Sequence, residues 1–318
     1  MNNSQSILDD FQTEWKKPNN ITFRIIVVNV AVWVILFLLS AFGRHGDALE
    51  GVYNFTRKTI YLSPDPGTFL LRPWTMITYG FAHEGFFHIL FNMLVFYWFS
   101  IILKNYLGSM RVLAIYVYGT MMGGAFYLLL YNLIPAFGAV GSSVGLLGAS
   151  GAVYAVVVAT ATLLPDQRIF MLFIGPVRLK YVALVYVGLS FLMFLGGSNA
   201  GGNIAHLGGA LMGYLFIQQY QGGNDWSTPV VQFVEWCEKL FQPTTTTTTN
   251  NKKQKKAKTS AQGNAAGKKQ GKATATGSGS DISQDEIDRI LDKISESGYE
   301  KLTKEEKQML FRASQKNG

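Results

Sequence analysis

The sequence predicts an all-α membrane protein, a bundle of six transmembrane helices with both termini in the cytoplasm and a tail ending in a small helical hairpin. Three observations support this fold class. Of 318 residues, 48% are hydrophobic and only 15% are charged, against roughly 25% charged residues in soluble domains. The mean hydropathy is +0.17 although the C-terminal part is polar, so the apolar residues are concentrated in long upstream runs. Basic residues cluster in alternate loops between those runs.

Apolar runs define the membrane domain, because a transmembrane helix needs about 17–25 mostly apolar residues. The domain is predicted at residues 23–220, after a short cytoplasmic segment at residues 1–22. The last three runs are short, so their ends are less sharply defined. The predicted spans are 25–42, 86–103, 112–134, 150–164, 181–195 and 204–217.

The distribution of Lys and Arg predicts the orientation, because these residues are enriched in cytoplasmic loops. They precede span one, separate spans two and three, separate spans four and five, and follow span six. On the opposite side, the loops 135–149 and 196–203 carry no charged residue, and the loop 43–85 balances four basic against four acidic residues. The N-terminus and the C-terminus are therefore both expected inside.

An interfacial amphipathic helix is predicted within residues 221–242. Thr228 and Pro229 are typical of a helix start, and the apolar residues that follow share one face, as in helices that lie along a membrane surface. Cys237 is the single cysteine, so no intramolecular disulfide can form. It is either an ordinary residue of the apolar face or, less favoured, a lipidation site.

The rest of the tail divides into a linker and a hairpin. Residues 243–280 are rich in Thr, Lys and Gly, which predicts disorder. The lysines either contact anionic lipid or belong to a merely solvated tether. Residues 281–318 are predicted as a helical hairpin, since Ser283 with Glu286 and Thr303 with Glu306 have capping-box spacing.

Polar side chains at the start of three spans predict a functional site. An ionisable group at the bilayer centre costs ~2.5 kcal/mol or more, so polar side chains within a span indicate a functional role. His88 and Asn92 lie at the start of span two, Ser150 opens span four, and His206 lies near the start of span six. These three spans run in the same direction, so the four side chains are expected at one level near the outer face.

The residue types at this level favour nucleophilic catalysis. A serine hydroxyl needs a base to become a nucleophile, and the imidazole of His206 can accept the Ser150 proton and later deliver it to a leaving amine. The only acid between residues 85 and 224 is Asp166, which belongs to a cytoplasmic loop. A Ser150–His206 dyad is therefore predicted rather than a triad.

Two further features complete the predicted site. His88 and Asn92 are four residues apart and share one helix face, so with the Ser150 backbone N–H they can stabilise an oxyanion. Tyr154 lies one helical turn after Ser150 and can stack against the imidazole of His206.

Over residues 73–213 the chain resembles the rhomboid intramembrane serine proteases. Each matching motif is weak alone, but their order on spans two, four and six is specific. The matching residues are Pro73, Trp74, Thr78, Phe81, His83, His88, Asn92, Met93, Gly148, Ala149, Ser150, Gly151, Tyr154, Ala205, His206, Gly209 and Gly213.

The resemblance implies a role for each of these positions. It makes Ser150 the nucleophile, His206 the general base and acid, and His88 and Asn92 the oxyanion donors. It implies a supporting role for His83, Tyr154, Gly148, Gly151, Gly209 and Gly213.

The resemblance also implies a substrate class and a location. Rhomboids cleave single-span membrane proteins near the outer face, and the short loops suggest the bacterial inner membrane. One departure is Lys104, where many rhomboids carry Glu near the inner end of span two. A carboxylate tie between that helix and the first loop is therefore in doubt.

No cofactor, metal or nucleic acid is expected. His83 and His88 lack a third convergent ligand and make a poor zinc site. The net charge of +8 comes from a Lys-rich tail beside hydrophobic spans, so the expected partners are the lipid bilayer, with anionic lipid at the tail, and single-span protein substrates.

Two other functions remain open. A small transporter or channel could line a conduction path with the same polar residues, although it would also need them near the inner face. A non-catalytic rhomboid-like binder of membrane helices is the second alternative, although the serine and the histidine are both present.

Overall fold

The computed structural model describes residues 7–17, 20–43, 46–134, 145–171, 174–241, 284–297, 302, 303, 306 and 309. The predicted linker 243–280 and most of the second hairpin helix lie outside these residues. The chain forms two compact units, Met1–Thr246 and Thr247–Gly318, which are described separately.

Helices dominate the first unit. Those that correspond to the predicted spans begin and end within four residues of the prediction. In chain order the helices are α1 (Ile7–Lys16), α2 (Ile21–Gly43), α3 (Asp47–Ile60), α4 (Pro66–Leu71), α5 (Thr75–Thr78), α6 (Phe86–Leu107), α7 (Ser109–Leu133), α8 (Ser150–Leu163), α9 (Leu179–Leu195), α10 (Ala200–Gln221) and α11 (Thr228–Phe241).

The apolar character of these helices fits a membrane protein. Among the described residues, α2, α6 and α7 are long and apolar enough to cross a membrane. Helices α8 and α9 are apolar but shorter. The number of six spans, their orientation and the interfacial position of α11 stay predictions.

Helix α8 lies at the centre of the unit, and every residue from 151 to 157 is buried. It packs closely on α10, where a Cβ at Gly209 would lie 2.0 Å from the Gly151 carbonyl oxygen and a Cβ at Gly213 would lie 2.1 Å from that of Ala155. Small residues allow such backbone approach between membrane helices. The first residue of α8 is thereby brought beside the first half of α10.

The loop between α2 and α6 contains α3, α4 and α5, which sequence patterns did not predict. For α4 a signal was present, because Asp65 precedes Pro66. Asp65 Oδ2 accepts a hydrogen bond from the Thr68 backbone N–H at 2.6 Å, and proline is favoured at the first helical position. Charge balance identified this segment only as a loop.

Hydrogen bonds hold this loop against α7. The Tyr116 hydroxyl donates to the Gly80 carbonyl at 2.9 Å, and the Tyr79 hydroxyl donates to the Thr120 carbonyl at 2.5 Å. These two hydrogen bonds anchor the loop to α7 through uncharged groups. The anchoring therefore does not depend on a carboxylate at the position of Lys104.

A short backbone pairing connects the same loop to the segment that precedes α8. Leu62 N–H donates to the Leu146 carbonyl at 3.1 Å, and Leu146 N–H donates to the Leu62 carbonyl at 2.8 Å. The chain entering α8 is thereby fixed four residues before Ser150.

The all-α prediction is wrong in one detail, a two-stranded antiparallel sheet between α8 and α9. Strand β1 (Arg168–Met171) pairs with β2 (Gly175–Arg178). At its base the Asp166 carboxylate accepts hydrogen bonds from Lys180 at 2.7 Å and from Arg178 at 3.2 Å. Only four residues form each strand, too few for an alternating pattern to stand out in the sequence.

The second unit contains α12 (Gln284–Ser297), and within the second predicted helix and the residues before it the structure describes only residues 302, 303, 306 and 309. Both bonds of a capping box are present, because Thr303 N–H donates to Glu306 Oε2 at 2.7 Å and Glu306 N–H donates to Thr303 Oγ1 at 3.3 Å. Lys293 of α12 donates to Glu306 at 2.7 Å. The cap thus belongs to the second segment, and the ion pair joins that segment to α12.

The contact between α8 and α10 can be tested by thermal unfolding in detergent. Gly209→Ala is expected to lower the free energy of unfolding by about 1–3 kcal/mol or more, because the added Cβ forces the two helices apart. The control is Gly188→Ala on α9, where nothing lies within 4 Å of an added Cβ. Equal losses of stability in both variants would contradict the packing argument.

Candidate active site

A cavity of about 920 Å³ opens where α6, α8, α9 and α10 converge. Side chains from all four helices line it. They include the predicted catalytic, oxyanion and stacking residues, Ser150, His206, His88, Asn92 and Tyr154, together with Tyr186.

Ser150 and His206 are in direct contact in this cavity. Ser150 is the first residue of α8, and its Oγ lies 2.8 Å from His206 Nε2. Both residues are half-buried, so they keep access to the cavity. The distance suits proton transfer between the two groups.

The other ring nitrogen of His206 contacts Ser190, a residue of α9 that sequence analysis missed. His206 Nδ1 lies 2.8 Å from Ser190 Oγ. Ser190 is 1% exposed, and its hydroxyl donates to Asn203 Oδ1 at 2.9 Å. The Asn203 amide in turn donates to the Ser198 carbonyl at 2.6 Å.

This chain of hydrogen bonds determines the tautomer of His206. The Ser198 carbonyl can only accept, so it fixes the Asn203 amide nitrogen on that side and turns Oδ1 toward Ser190. Ser190 must then donate to Oδ1 and accept from His206 Nδ1–H. His206 Nε2 is left with a lone pair, which can accept a hydrogen bond from the Ser150 hydroxyl. A general base at Nε2 requires this arrangement.

Stacked rings hold the face of the imidazole. The Tyr154 and His206 rings are 4.3 Å apart and inclined by only 8°. Tyr186 of α9 stacks on the other face of Tyr154 at 4.1 Å. Rotation of the His206 ring is therefore opposed at its face by Tyr154 and at its edge by Ser190.

His88 and Asn92 lie on the α6 wall of the cavity. Asn92 is buried, whereas His88 is exposed to the cavity. Gly148 adopts a φ of +118°, and a Cβ there would lie 3.0 Å from His88 Nε2, so glycine gives the ring room at this point. His88 and Asn92 line the same cavity as Ser150, where the N-terminus of α8 presents backbone N–H groups, as helix starts do.

His83 supports the site from behind. Its Nε2 accepts the Ala149 backbone N–H at 3.4 Å and lies 3.3 Å from the Asn92 amide. Burial, with a smaller effect of His88, lowers the pKa of His83 to about 3. The neutral ring can therefore act as an acceptor, and it joins Asn92 to the residue before Ser150.

One carboxylate that sequence analysis overlooked lies at the cavity wall. Glu84 lines the cavity, and it forms an ion pair with Arg57 at 3.1 Å. Asp166 is engaged by Lys180 and Arg178 in the β1–β2 region. In the part of the chain that the structure describes, no three His, Cys, Asp or Glu side chains come together as metal ligands.

Signals for Ser190 and Asn203 were present in the sequence. Ser190 is a polar residue inside the apolar run 181–195, and Asn203 lies three residues before His206, on the same helix face. The candidates were defined by the shared outer level at which spans two, four and six begin. Span five is predicted to run in the opposite direction, so its start does not lie at that level.

Comparison with known proteins identifies the family of this helical domain. Residues 71–220 match the Rhomboid domain. The chain is 31% identical over 193 residues to rhomboid protease GlpG of Haemophilus influenzae, covering 61% of this chain and 88% of that protein. It is 28% identical over 210 residues to mitochondrial rhomboid protein 1 of Saccharomyces cerevisiae, covering 63% of this chain and 53% of that protein.

Other matches are shorter. Mitochondrial RHOMBOID-like protein 12 of Arabidopsis thaliana is 32% identical over 145 residues, or 43% of each chain. The chain thus spans about half the length of the two mitochondrial relatives and most of the Haemophilus protein. Residues 281–316 match a family of unknown function, DUF6576.

The tautomer of His206 can be measured by ¹⁵N NMR of histidine-labelled protein near neutral pH. The shifts are expected to show a protonated Nδ1 and an unprotonated Nε2, because Ser190 accepts from Nδ1–H. Ser190→Ala should remove this preference. His206→Gln assigns the signal among the four histidines. A protonated Nε2 in the unaltered protein would contradict the hydrogen-bond chain.

Proposed function

Because the chain belongs to the rhomboid family, we propose that it is an intramembrane serine endopeptidase that cleaves single-span membrane proteins in or beside their transmembrane helix. The observation that carries the proposal is the 2.8 Å contact between Ser150 Oγ and His206 Nε2. The neighbouring hydrogen bonds support it by leaving the acceptor lone pair on that nitrogen.

Acylation begins when Ser150 Oγ attacks the carbonyl carbon of the scissile peptide. His206 Nε2 takes the hydroxyl proton as the C–O bond forms. The carbonyl π electrons move to oxygen and produce a tetrahedral oxyanion. As the C–N bond breaks, the imidazolium returns its proton to the leaving amine, and an ester remains on Ser150.

Deacylation reuses the same base. His206 Nε2 removes a proton from water, which attacks the ester carbonyl. The second tetrahedral intermediate collapses to a carboxylic acid, and the imidazolium returns the proton to Ser150 Oγ. A cavity of about 920 Å³ can hold both an extended peptide segment and the attacking water.

His88, Asn92 and the Ser150 backbone N–H stabilise the oxyanion. Hydrogen-bond donors aimed at a developing negative charge are worth most where water is excluded. Asn92 is held by His83, so its donor is positioned before the substrate arrives. The N-terminus of α8 adds a favourable dipole at the same point.

The proposal includes the arrangement in the membrane. Six spans, with both termini inside, bring the site near the outer face of a multi-pass membrane protein. The bacterial inner membrane is the proposed location, supported by the match to a Haemophilus influenzae rhomboid protease over most of its length. Binding of anionic lipid by the Lys-rich tail belongs to the same proposal.

Loss of either dyad member should remove the activity. Ser150→Ala and His206→Ala are each expected to lower cleavage of a single-span reporter in membranes by at least about 10³-fold, since nucleophile and base act as one unit. A fluorophosphonate probe should label the unaltered protein at Ser150.

The matched control is Ser100→Ala, which removes a buried hydroxyl on α6 that lies 3.1 Å from Thr22 Oγ1. This variant should keep both cleavage and labelling. Cleavage by folded Ser150→Ala would overturn the assignment. If the folded, unaltered protein binds the reporter but neither cleaves it nor is labelled, the result would favour the non-catalytic binder.

The hydrogen-bond chain should affect turnover rather than substrate binding. Ser190→Ala is expected to lower kcat about 10- to 100-fold with little change in KM, less than the roughly 10⁴-fold lost when the aspartate of a triad is neutralised. Asn203→Leu should act similarly, because Ser190 can then donate to His206 Nδ1 and reverse the tautomer.

A double-mutant cycle separates this role from general destabilisation. Since both residues act through one ring nitrogen, the combined variant should lose little more than either single variant. Multiplicative losses in kcat, or effects confined to KM, would contradict the positioning role. The unfolding temperature of each variant is the accompanying control.

A further inference from the structure

A second cavity, of about 460 Å³, lies in the loop between α2 and α6, apart from the catalytic residues. Three cationic side chains line it, Arg57 and Lys58 from α3 and Arg72 from the end of α4. No carboxylate belongs to its lining among the residues that the structure describes. We call it the basic pocket, and its charge favours an anionic ligand.

Two of the three cations of the basic pocket, Arg57 and Arg72, are held in place. The Arg57 guanidinium lies 5.5 Å from the Tyr53 ring and 5.3 Å from the Tyr61 ring, and it pairs with Glu84 at 3.1 Å. Arg72 Nη1 donates to the Lys58 carbonyl at 2.6 Å. Charges fixed in this way lose little conformational freedom when a ligand binds.

One donor in the basic pocket is unused. Arg57 Nε is buried and has no hydrogen-bond partner within the described part of the chain. A buried donor without a partner is costly, and a shift of the guanidinium that exposed Nε to a ligand oxygen would remove that penalty. Asn54, Ser63 and Thr68 add neutral polar groups around the cations.

The surface beside the basic pocket is apolar. Leu70 and Leu71 are 75% and 78% exposed and directly precede Arg72. The Trp74 indole is also exposed and donates to the carbonyl of Thr59, the neighbour of Lys58. Exposed apolar side chains beside fixed cations, with tryptophan between, are typical of a membrane interface.

We propose that the basic pocket binds the phosphodiester headgroup of an anionic phospholipid. Arginine and lysine are the side chains that recognise phosphate oxygens, and the neutral polar groups suit headgroup hydroxyls. The acyl chains lie along Leu70 and Leu71. A soluble phosphate would satisfy the cations but would leave this apolar surface uncovered.

The basic pocket adjoins the catalytic cavity. Gly145 lines both, and a Cβ there would lie 2.9 Å from Tyr61 Cβ. Arg57 joins them as well, because its partner Glu84 lines the catalytic cavity. A bound phosphate would share Arg57 with Glu84, so the headgroup contacts a residue that is paired with the wall of the active site without touching Ser150.

Native mass spectrometry of the full-length protein tests this site. Dioleoylphosphatidylglycerol and dioleoylphosphatidylcholine are titrated separately into protein stripped of lipid. The first phosphatidylglycerol is expected to bind more tightly than phosphatidylcholine. Lys58→Gln with Arg72→Gln should weaken that step about 10- to 30-fold, since each cation near a membrane surface contributes to anionic-lipid binding.

The matched control removes the same charge elsewhere, with Lys16→Gln on α1 and Arg168→Gln on β1, and should leave the first binding step unchanged. Arg72 also donates a hydrogen bond within the loop, so its substitution removes a structural contact. Lys58 is exposed, and Lys58→Glu alone is expected to keep the fold and to weaken binding of the first phosphatidylglycerol. Equal affinity for both lipids, or equal weakening in the control pair, would overturn the proposal. Displacement of phosphatidylglycerol by millimolar glycerol 3-phosphate would assign the basic pocket to soluble phosphate instead.

Discussion

The site depends on the close packing of two helix backbones. Gly209 and Gly213 of α10 meet the carbonyl oxygens of Gly151 and Ala155 on α8, with no side chain between them. Ser150 is adjacent to Gly151 along the chain, and His206 lies about one turn before Gly209. The packing therefore sets the distance between hydroxyl and imidazole, and every other group adjusts the orientation of a pair that already touches.

Orientation is supplied by neutral groups, which suits the environment. In the proposed membrane arrangement, a carboxylate beside His206 would need to be kept ionised at membrane depth, where charged groups are costly. The hydrogen bonds from the Ser198 carbonyl through Asn203 and Ser190 orient the His206 imidazole with uncharged groups alone. The Ser198 carbonyl at one end can only accept a hydrogen bond. Each remaining group in the series therefore has one donor role: Asn203 donates to Ser198, Ser190 donates to Asn203, and His206 Nδ1–H donates to Ser190.

Much of this architecture could be predicted from the sequence, and the exceptions have physical reasons. Long apolar runs located the helices, and polar residues at the starts of three spans identified Ser150, His206, His88 and Asn92 as a group. Ser190 was missed because its depth relative to His206 depends on the packing of α9, which hydropathy does not give. The helices of the first loop were missed because charge balance describes a loop's side of the membrane but not its local structure.

Helix α9 orients the His206 imidazole but does not belong to the helix pair that brings His206 into contact with Ser150. Of its 17 residues only Leu179, Ala183 and Ser190 are buried, yet it supplies both Ser190 at the edge of the imidazole and Tyr186 behind Tyr154. The proposed nucleophile and base, Ser150 and His206, lie instead on the closely packed α8 and α10. Contact within the pair thus depends on the helices that stabilise the fold, whereas the tautomer depends on a helix with few buried contacts. Substitutions on α9 can therefore alter the chemistry of His206 without disturbing the packing that brings Ser150 to it.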